Sequence, residues 1–532
     1  MGLMLLIAGW GVFGRSKQSI HFPVFALAAV GLILVIGLQL AFDLILLRGT
    51  ALLGMGYLAA FALATVLGSH VERQNPNLAA HVLFLAIGIA SILSVGMQLH
   101  QWLNLETELL EIWSMGPGVG RPFANFGQPN QLATFLIWGV LAIAWGYLHQ
   151  QIRPAVALLA IAFILWGIAL SHSRTAWLGL MLMWIASFWW RNLWPNKKIP
   201  WLTGAMCLYL AGLLPLIAWI NVEFGLNAGQ VVDSMSQGSA ILRFRGWRIF
   251  ADAVLLQPWF GYGFEQVRLA EMVASPLHPA INGIFAQSHN LFLDFVLWFG
   301  LPMGLICTVG LLALMGKLAL AVTKPEHALL WVLVLVVGNH AMLELPLHYA
   351  YFLIPTGVVL GTLSAKTKPM QLCIPGGSVS KLGMVSILLV MSMGYAVLIK
   401  DYFEVEQNYR DLRFELANFR DQPRGKEPEV WVLTQFRDFL RMARQNPEDL
   451  VSDTEIDRAR RIVSTSPSPL GLQKLAVAMS LRGENEEATL WLQRLCKVMS
   501  GDQCQAVKAQ WQAKSQTEPS MKKVNWSQIE QD

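Results

Sequence analysis

From residue 1 to residue 400 the chain is a series of apolar blocks separated by short polar breaks. The blocks fall near 1–13, 22–42, 51–70, 79–98, 131–148, 154–171, 175–190, 202–221, 290–316, 328–343, 349–365 and 382–400. Most approach the length of about 20 residues that a helix needs to cross a bilayer. Helices and closed barrels are the structures that satisfy every backbone group in lipid. The pattern predicts an all-α polytopic membrane protein with about 12 transmembrane helices. The first block is short for a full span, and it lacks the basic start and A-x-A end of a signal peptide.

After residue 400 the pattern changes. In "RDFLRMARQNPEDL", "SDTEIDRARRIV" and "PLGLQKLAVAMSLRGENEEATLWLQRLCKVM" apolar residues recur at three- and four-residue steps, which predicts amphipathic helices. The last stretch breaks at Arg482-Gly483 and restarts with acids in the first turn, as a helix N-terminus does. Two antiparallel helices with Ala476, Ala478 and Ala488 at their crossing look like a tetratricopeptide-type hairpin. A small helical cap packed on the membrane domain fits the same residues. From Ser515 the chain is polar and expected to be disordered. The expected domains are a transmembrane domain over 1–400 with a long loop at 222–289, a helical domain over 401–514, and a tail over 515–532.

Composition agrees. Of 532 residues 55% are hydrophobic and 14% charged, with mean hydropathy +0.48, whereas soluble domains carry about 25% charge. Residues 401–532 hold 19 of the 39 Lys and Arg and 21 of the 34 acids, a net charge of −2, which leaves +7 on the first 400. The basic balance comes from the loops of a membrane protein, and no nucleic-acid partner is expected.

Loop charge sets the orientation, because cytoplasmic loops collect Lys and Arg. One alternating set of loops holds Arg15, Lys17, Arg73, Arg153, Arg191, Lys197, Lys198, Lys317, Lys324, Lys366, Lys368 and Lys381. The other holds Arg48, the stretch 99–130 with Glu106, Glu108 and Glu111, the turn Ser171–Arg174, the loop 222–289 and the turn Glu344–His348. The first set is the basic one and faces the cytoplasm. The second, with everything after residue 400, faces outward, into the periplasm of a bacterial inner-membrane protein. Cys207, Cys307 and Cys373 read as small apolar packers. An oxidising periplasm would permit Cys496 and Cys504 to pair, and they fit no common zinc pattern.

Ionisable groups at the edge of a span are costly and default to functional candidates. In "SHSRTAW" (171–177) Arg174 is either a snorkelling interfacial arginine or an anion ligand. In "LRFRGWRIFADAVLLQPWFGYG" (242–263) Arg243, Arg245 and Arg248 lie within two turns of a helix, and Arg243 shares a face with Trp247. Guanidinium forks match phosphate oxygens; a solvated basic helix fits equally. His289 in "IFAQSHNLFLDF" enters an apolar block and carries the one side chain type that titrates near neutrality. In "GRPFANFGQPNQLATF" (120–135) the amides Gln128, Asn130 and Gln131 can bind a sugar or cap the following helix. In "NHAMLELPLHYAYF" (339–352) His340, Glu344 and His348 are spaced by four, but Pro346 interrupts a shared helix and no metal site is expected. Tyr349 opens the next block and can line an outward cavity.

Taken in order, "SHSRTAW", "RFRGW", "PWFGYG" and "SHNLFLDFVLWFGLPMG" resemble the O-antigen ligase/polymerase superfamily. "FGQPNQLATF" and "ELPLHYAYF" look most like its protein O-oligosaccharyltransferases, which glycosylate pilins and other secreted proteins. The motifs cover roughly residues 115–365. The resemblance implies a multi-span glycosyltransferase without a cofactor. It would move a glycan en bloc from undecaprenyl diphosphate to Ser or Thr of a periplasmic protein such as a type IV pilin, at a site facing the periplasm. It implies that His289 is the essential loop histidine and that Arg243 and Arg174 are the functional arginines. Gln128 and Tyr349 would be polar positions of the protein-glycosylating branch. The alternatives are an O-antigen ligase with a lipid A-core acceptor, an O-antigen polymerase, and, in a different class, a transporter of lipid-linked glycans.

Overall fold

The computed structural model describes residues 1–15, 20–105, 120–226, 232–366, 378–417 and 425–529. Lys17, Glu106, Glu108, Glu111, Lys368, Cys373 and residues 530–532, on which parts of the sequence reading rest, lie outside them.

Every apolar block is helical. In chain order the helices are α1 (Gly2–Phe13), α2 (Val24–Ala41), α3 (Arg48–Gln74), α4 (Leu78–Trp102), α5 (Pro129–Leu148), α6 (Pro154–Leu170), α7 (Arg174–Trp189) and α8 (Ile199–Glu223). They continue as α9 (Val232–Leu256), α10 (Val267–Ala274), α11 (Leu291–Leu320), α12 (Pro325–Ala341), α13 (Ala350–Lys366) and α14 (Lys381–Leu416). The chain then carries α15 (Thr434–Arg444), α16 (Asp453–Thr465), α17 (Pro469–Leu481), α18 (Asn485–Val498), α19 (Gly501–Thr517) and α20 (Trp526–Ile529). One two-residue antiparallel pair, β1 (Ile20–His21) with β2 (Ser378–Val379), accompanies them. Among the described residues seven helices (α2, α3, α4, α5, α8, α11 and α14) are long and apolar enough to cross a membrane. The protein is thus an all-helical, multi-pass membrane protein.

The helix boundaries follow local chemistry. Proline stands in the first turn of α5, α6, α12 and α17, where its missing N–H costs nothing. Ser452 and Ser500 form capping boxes with Glu455 and Gln503. Gly483, at φ +84°, ends α17, and Glu486 and Glu487 fill the first turn of α18.

The chain divides into two compact units, and the division does not follow residue 400. The first comprises residues 1–29, 60–240 and 311–386. Its central helix is α5, whose Trp138 and Trp145 are fully buried. A helix apolar on all faces needs apolar neighbours on all faces, and α4, α6, α7 and α12 supply them. Gly68 and Gly361 let α3 and α13 approach until backbone meets backbone, the usual device where lipid offers no hydrophobic drive. Half-buried Lys366 pairs with buried Glu72 at 2.5 Å.

The second unit comprises residues 30–59, 241–310 and 387–532. α11 is broken at Gly300, φ +78°, and Pro302 follows. Pro302 has no N–H for the Trp298 carbonyl, so that carbonyl is released. The turn "PWFGYG" fills the gap: Tyr262 N–H donates to Leu297 O at 2.7 Å, and Gly263 N–H to Trp298 O at 3.2 Å. The freed Leu301 N–H donates to Pro258 O at 2.7 Å. Gln39 locks the same corner, donating to Trp298 O at 2.8 Å and accepting from Phe264 N–H at 3.0 Å.

The helices from α16 onward pack in this unit around Leu472, Leu475, Trp491, Leu492 and Trp511, with Ala476, Ala478 and Ala488 buried. Leu47 and Met272 enter that core. Asp43 pairs bidentately with Arg461 at 2.8 and 2.6 Å. Cys496 and Cys504 are disulfide-bonded, with Cα atoms 5.0 Å apart. Residues 515–529 differ from the expected disorder: they carry short helical turns that bury Met521, Val524 and Ile529. Their few apolar side chains suffice to seal the end of the helical core.

Candidate active site

The predicted site residues fall into two groups, one in each unit. In the first unit, the amide-rich segment 120–128 is held by the end of α4. Gln101 Oε1 accepts from Phe123 N–H at 3.0 Å and Ala124 N–H at 2.7 Å, and its Nε2 donates to Ala124 O at 2.8 Å. Gln98 donates to Pro122 O at 3.3 Å. Gln128 then starts α5 in extended conformation, but its side chain makes no cap.

The side chain instead joins a network ending on Glu344. Gln128 Nε2 donates to Glu344 Oε2 at 3.3 Å, and Asn130 Nδ2 to Glu344 Oε1 at 3.4 Å. Gln131 Nε2 donates to Gln128 Oε1 at 2.8 Å, and Tyr351 donates its hydroxyl to Gln131 Oε1. The direction of this chain follows from chemistry. An ionised carboxylate only accepts, so Gln128 turns its NH₂ to Glu344, and each amide behind it must follow. Tyr349 is exposed, with its ring 5.3 Å from Tyr351. His340 ends α12, while His348 lies in a 3-10 turn (Pro346–His348) beyond the helix, so the four-residue spacing does not align them.

Arg174 is the first residue of α7. The turn before it is tight: His172 has φ +46°, Ser171 Oγ donates to Ile168 O at 2.6 Å, and Ser173 Oγ caps Ala176 N–H at 3.3 Å. Arg121 donates to His172 O at 3.2 Å. Burial holds the Arg121 pKa below its usual value, Glu344 opposes that shift and Arg174 adds to it. Two guanidiniums and one carboxylate therefore share this corner of the first unit, enough positive charge to hold an oxyanion.

In the second unit the elements around His289 are α9, α10 and the start of α11. Gly246, Ile249, Phe250 and Ala253 make the buried stripe of α9. At 100° per residue, Arg243 and Trp247 flank that stripe on one side, Arg245 on the other, and Arg248 opposite. Trp247 Nε1 donates to Ser288 O at 2.8 Å, so the flank with Arg243 is the one that meets the His289 turn. Arg245 and Arg248 are exposed elsewhere and are not brought to it.

His289 has φ +57°, the left-handed region. The turn that imposes it is tied on both sides. Ser288 N–H donates to Asp294 Oδ1 at 3.0 Å, and Ser288 Oγ to Asn290 O at 3.0 Å. Asn290 Oδ1 caps α11, accepting from Phe292 and Leu293 N–H at 3.1 and 3.2 Å. The half-buried imidazole sits edge-on to Phe285 at 6.1 Å. Its backbone is thus set by neighbours. Among the described residues no cluster of three or more His, Cys, Asp or Glu could hold a metal ion.

Arg121, Glu344, Tyr351, Gln98 and Gln101 were not singled out as site residues from sequence. Only Glu344 gave a signal, as an acid beside an apolar block.

Three segments match known families. Residues 122–149, with the three amides, match protein glycosylation ligases. Residues 157–309, with Arg174, Arg243, Arg245, Arg248 and His289, match the O-antigen ligases. Residues 328–514, with Tyr349 and both disulfide cysteines, match the C-terminal part of virulence factor membrane-bound polymerases. Over 489 residues the chain is 29% identical to a general O-oligosaccharyltransferase of Acinetobacter baylyi, covering 89% of this chain and 83% of that protein. A ComP-specific O-oligosaccharyltransferase of the same organism is 27% identical over 255 residues, 46% of this chain and 44% of that protein. No solved structure gives a significant match. The ordered matches and the near-full-length similarity support an O-oligosaccharyltransferase of the O-antigen ligase superfamily, a membrane glycosyltransferase.

Proposed function

We propose that the protein transfers an oligosaccharide en bloc from undecaprenyl diphosphate to Ser or Thr hydroxyls of periplasmic proteins, pilins among them. The near-full-length similarity to a general O-oligosaccharyltransferase carries this reading. The amide network in the segment that matches protein glycosylation ligases supports a protein acceptor over lipid A-core. In this reading all twelve apolar helices cross a bacterial inner membrane. The basic loops face the cytoplasm, and the disulfide-bonded helical domain, with its tetratricopeptide-like α17–α18 hairpin, faces the periplasm.

The acceptor oxygen attacks C1 of the first sugar as the C1–O bond to the diphosphate breaks. The bonding pair leaves with the diphosphate, and the hydroxyl proton passes to His289. Charge on the leaving group grows in the transition state, where fixed guanidiniums help most. Arg243, on the flank of α9 that meets the His289 turn, takes that part. Gln128, Asn130, Gln131 and Tyr349 bind sugar or acceptor backbone. Attack opposite the leaving group inverts C1.

The test is co-expression with a lipid-linked glycan and candidate pilins, read by intact mass. A glycan-sized shift on the pilin supports the reading. A shift confined to lipid A-core establishes a ligase instead, and lipid-linked glycan movement in liposomes without transfer establishes a transporter.

A further inference from the structure

Glu271 lies in α10, outside every apolar block, with no exposed surface. Its Oε2 accepts the Phe285 N–H at 2.8 Å. Its Oε1 is enclosed and has no hydrogen-bond partner among the described residues. Burial pushes its pKa up to about 8, against the Phe285 bond and the charge of Arg268. At neutral pH Glu271 is mainly a neutral acid, held where an apolar side chain of similar size would pack at less cost.

What it holds explains its presence. Phe285 begins the segment that ends at His289. Its ring covers Gly246 of α9 so closely that a Cβ there would come within 2.7 Å. The same ring meets Phe250 at 5.7 Å and the His289 imidazole at 6.1 Å. Gln287 donates to Glu265 at 2.8 Å, and Trp247 fixes Ser288. Without Glu271 the buried Phe285 N–H would lose its acceptor, and the ring that backs His289 would lose its anchor.

We propose that Glu271 is a positioning residue, which sets the His289 imidazole by accepting the Phe285 amide. This rests on the proposed part of His289 in transfer. The geometry requires an acceptor oxygen at position 271, and a charge is not required. Glu271→Gln keeps the acceptor and the neutrality, whereas Glu271→Leu keeps volume and removes the acceptor.

The experiment measures transfer kinetics for both variants and for His289→Ala, with amide hydrogen exchange across 281–289. Glu271→Gln should hold wild-type turnover within about twofold, and Glu271→Leu should lower kcat about tenfold or more with donor KM nearly unchanged. In the wild type the Phe285 amide should be among the slow exchangers of its segment. Wild-type kcat in Glu271→Leu, or loss in Glu271→Gln equal to that in Glu271→Leu, would overturn the proposal. So would a Phe285 amide exchanging at the rate of an exposed loop, a result that needs no variant to fold. If His289→Ala itself keeps wild-type turnover, the reading of the site fails instead.

Discussion

A histidine at φ +57° constrains how its own function is tested. Replacing it by Ala removes the imidazole and also strains the turn, because Ala disfavours the left-handed region. Asn tolerates that region, so His289→Asn separates the two effects. It should insert and melt like wild type while turnover falls by about 10²-fold or more, the usual worth of a proton acceptor. Arg243→Lys should lower turnover about tenfold, because a point charge does not replace a fork. Glu271 supplies a pH prediction. Its folded pKa, raised from 4.5 to about 8, means that its contribution to stability is complete below pH 4.5 and is lost as pH rises through 8. Wild-type melting temperature should therefore fall between pH 6 and pH 9 by more than that of Glu271→Gln. At this scale the sequence disclosed ionisable groups at span edges, such as Arg174 and His289, since lipid makes them conspicuous. It concealed the partners of Gln101 and Glu344, which lie 22 and more than 200 residues away and leave no periodic trace.

At the scale of elements, the boundaries written in local chemistry were legible. Gly483 and the acids of α18 stand where the sequence places them. The interlock between "PWFGYG" and the break in α11 was not, because each motif alone reads as an ordinary turn or span. It makes a direct prediction. Gly300→Ala strains φ +78° and drives a Cβ into the Trp259 carbonyl, so it should destabilise the protein by about 1–3 kcal/mol in a thermal melt. Ser173→Ala removes the α7 cap beside Arg174 and should cost about 1 kcal/mol.

For the whole molecule, the change of pattern at residue 400 falls inside α14, and hydropathy could not reveal which loops the later helices pack with. Ile281 N–H donates to Lys497 O at 2.9 Å, next to the disulfide, and Asp43 pairs with Arg461. These contacts join segments of different composition, which no window along the chain compares. The disulfide spans eight residues, and replacing both cysteines with Ser should cost about 2 kcal/mol and abolish the effect of reductant on the melt. The most direct measurement is transfer by the purified protein in lipid, given an undecaprenyl-diphosphate-linked oligosaccharide, a pilin and lipid A-core together, and read by intact mass. The expected result is a glycan-sized increment on the pilin, mapped to Ser or Thr and absent with His289→Asn. An increment on lipid A-core alone, or on the pilin at equal rate with His289→Asn, would contradict it.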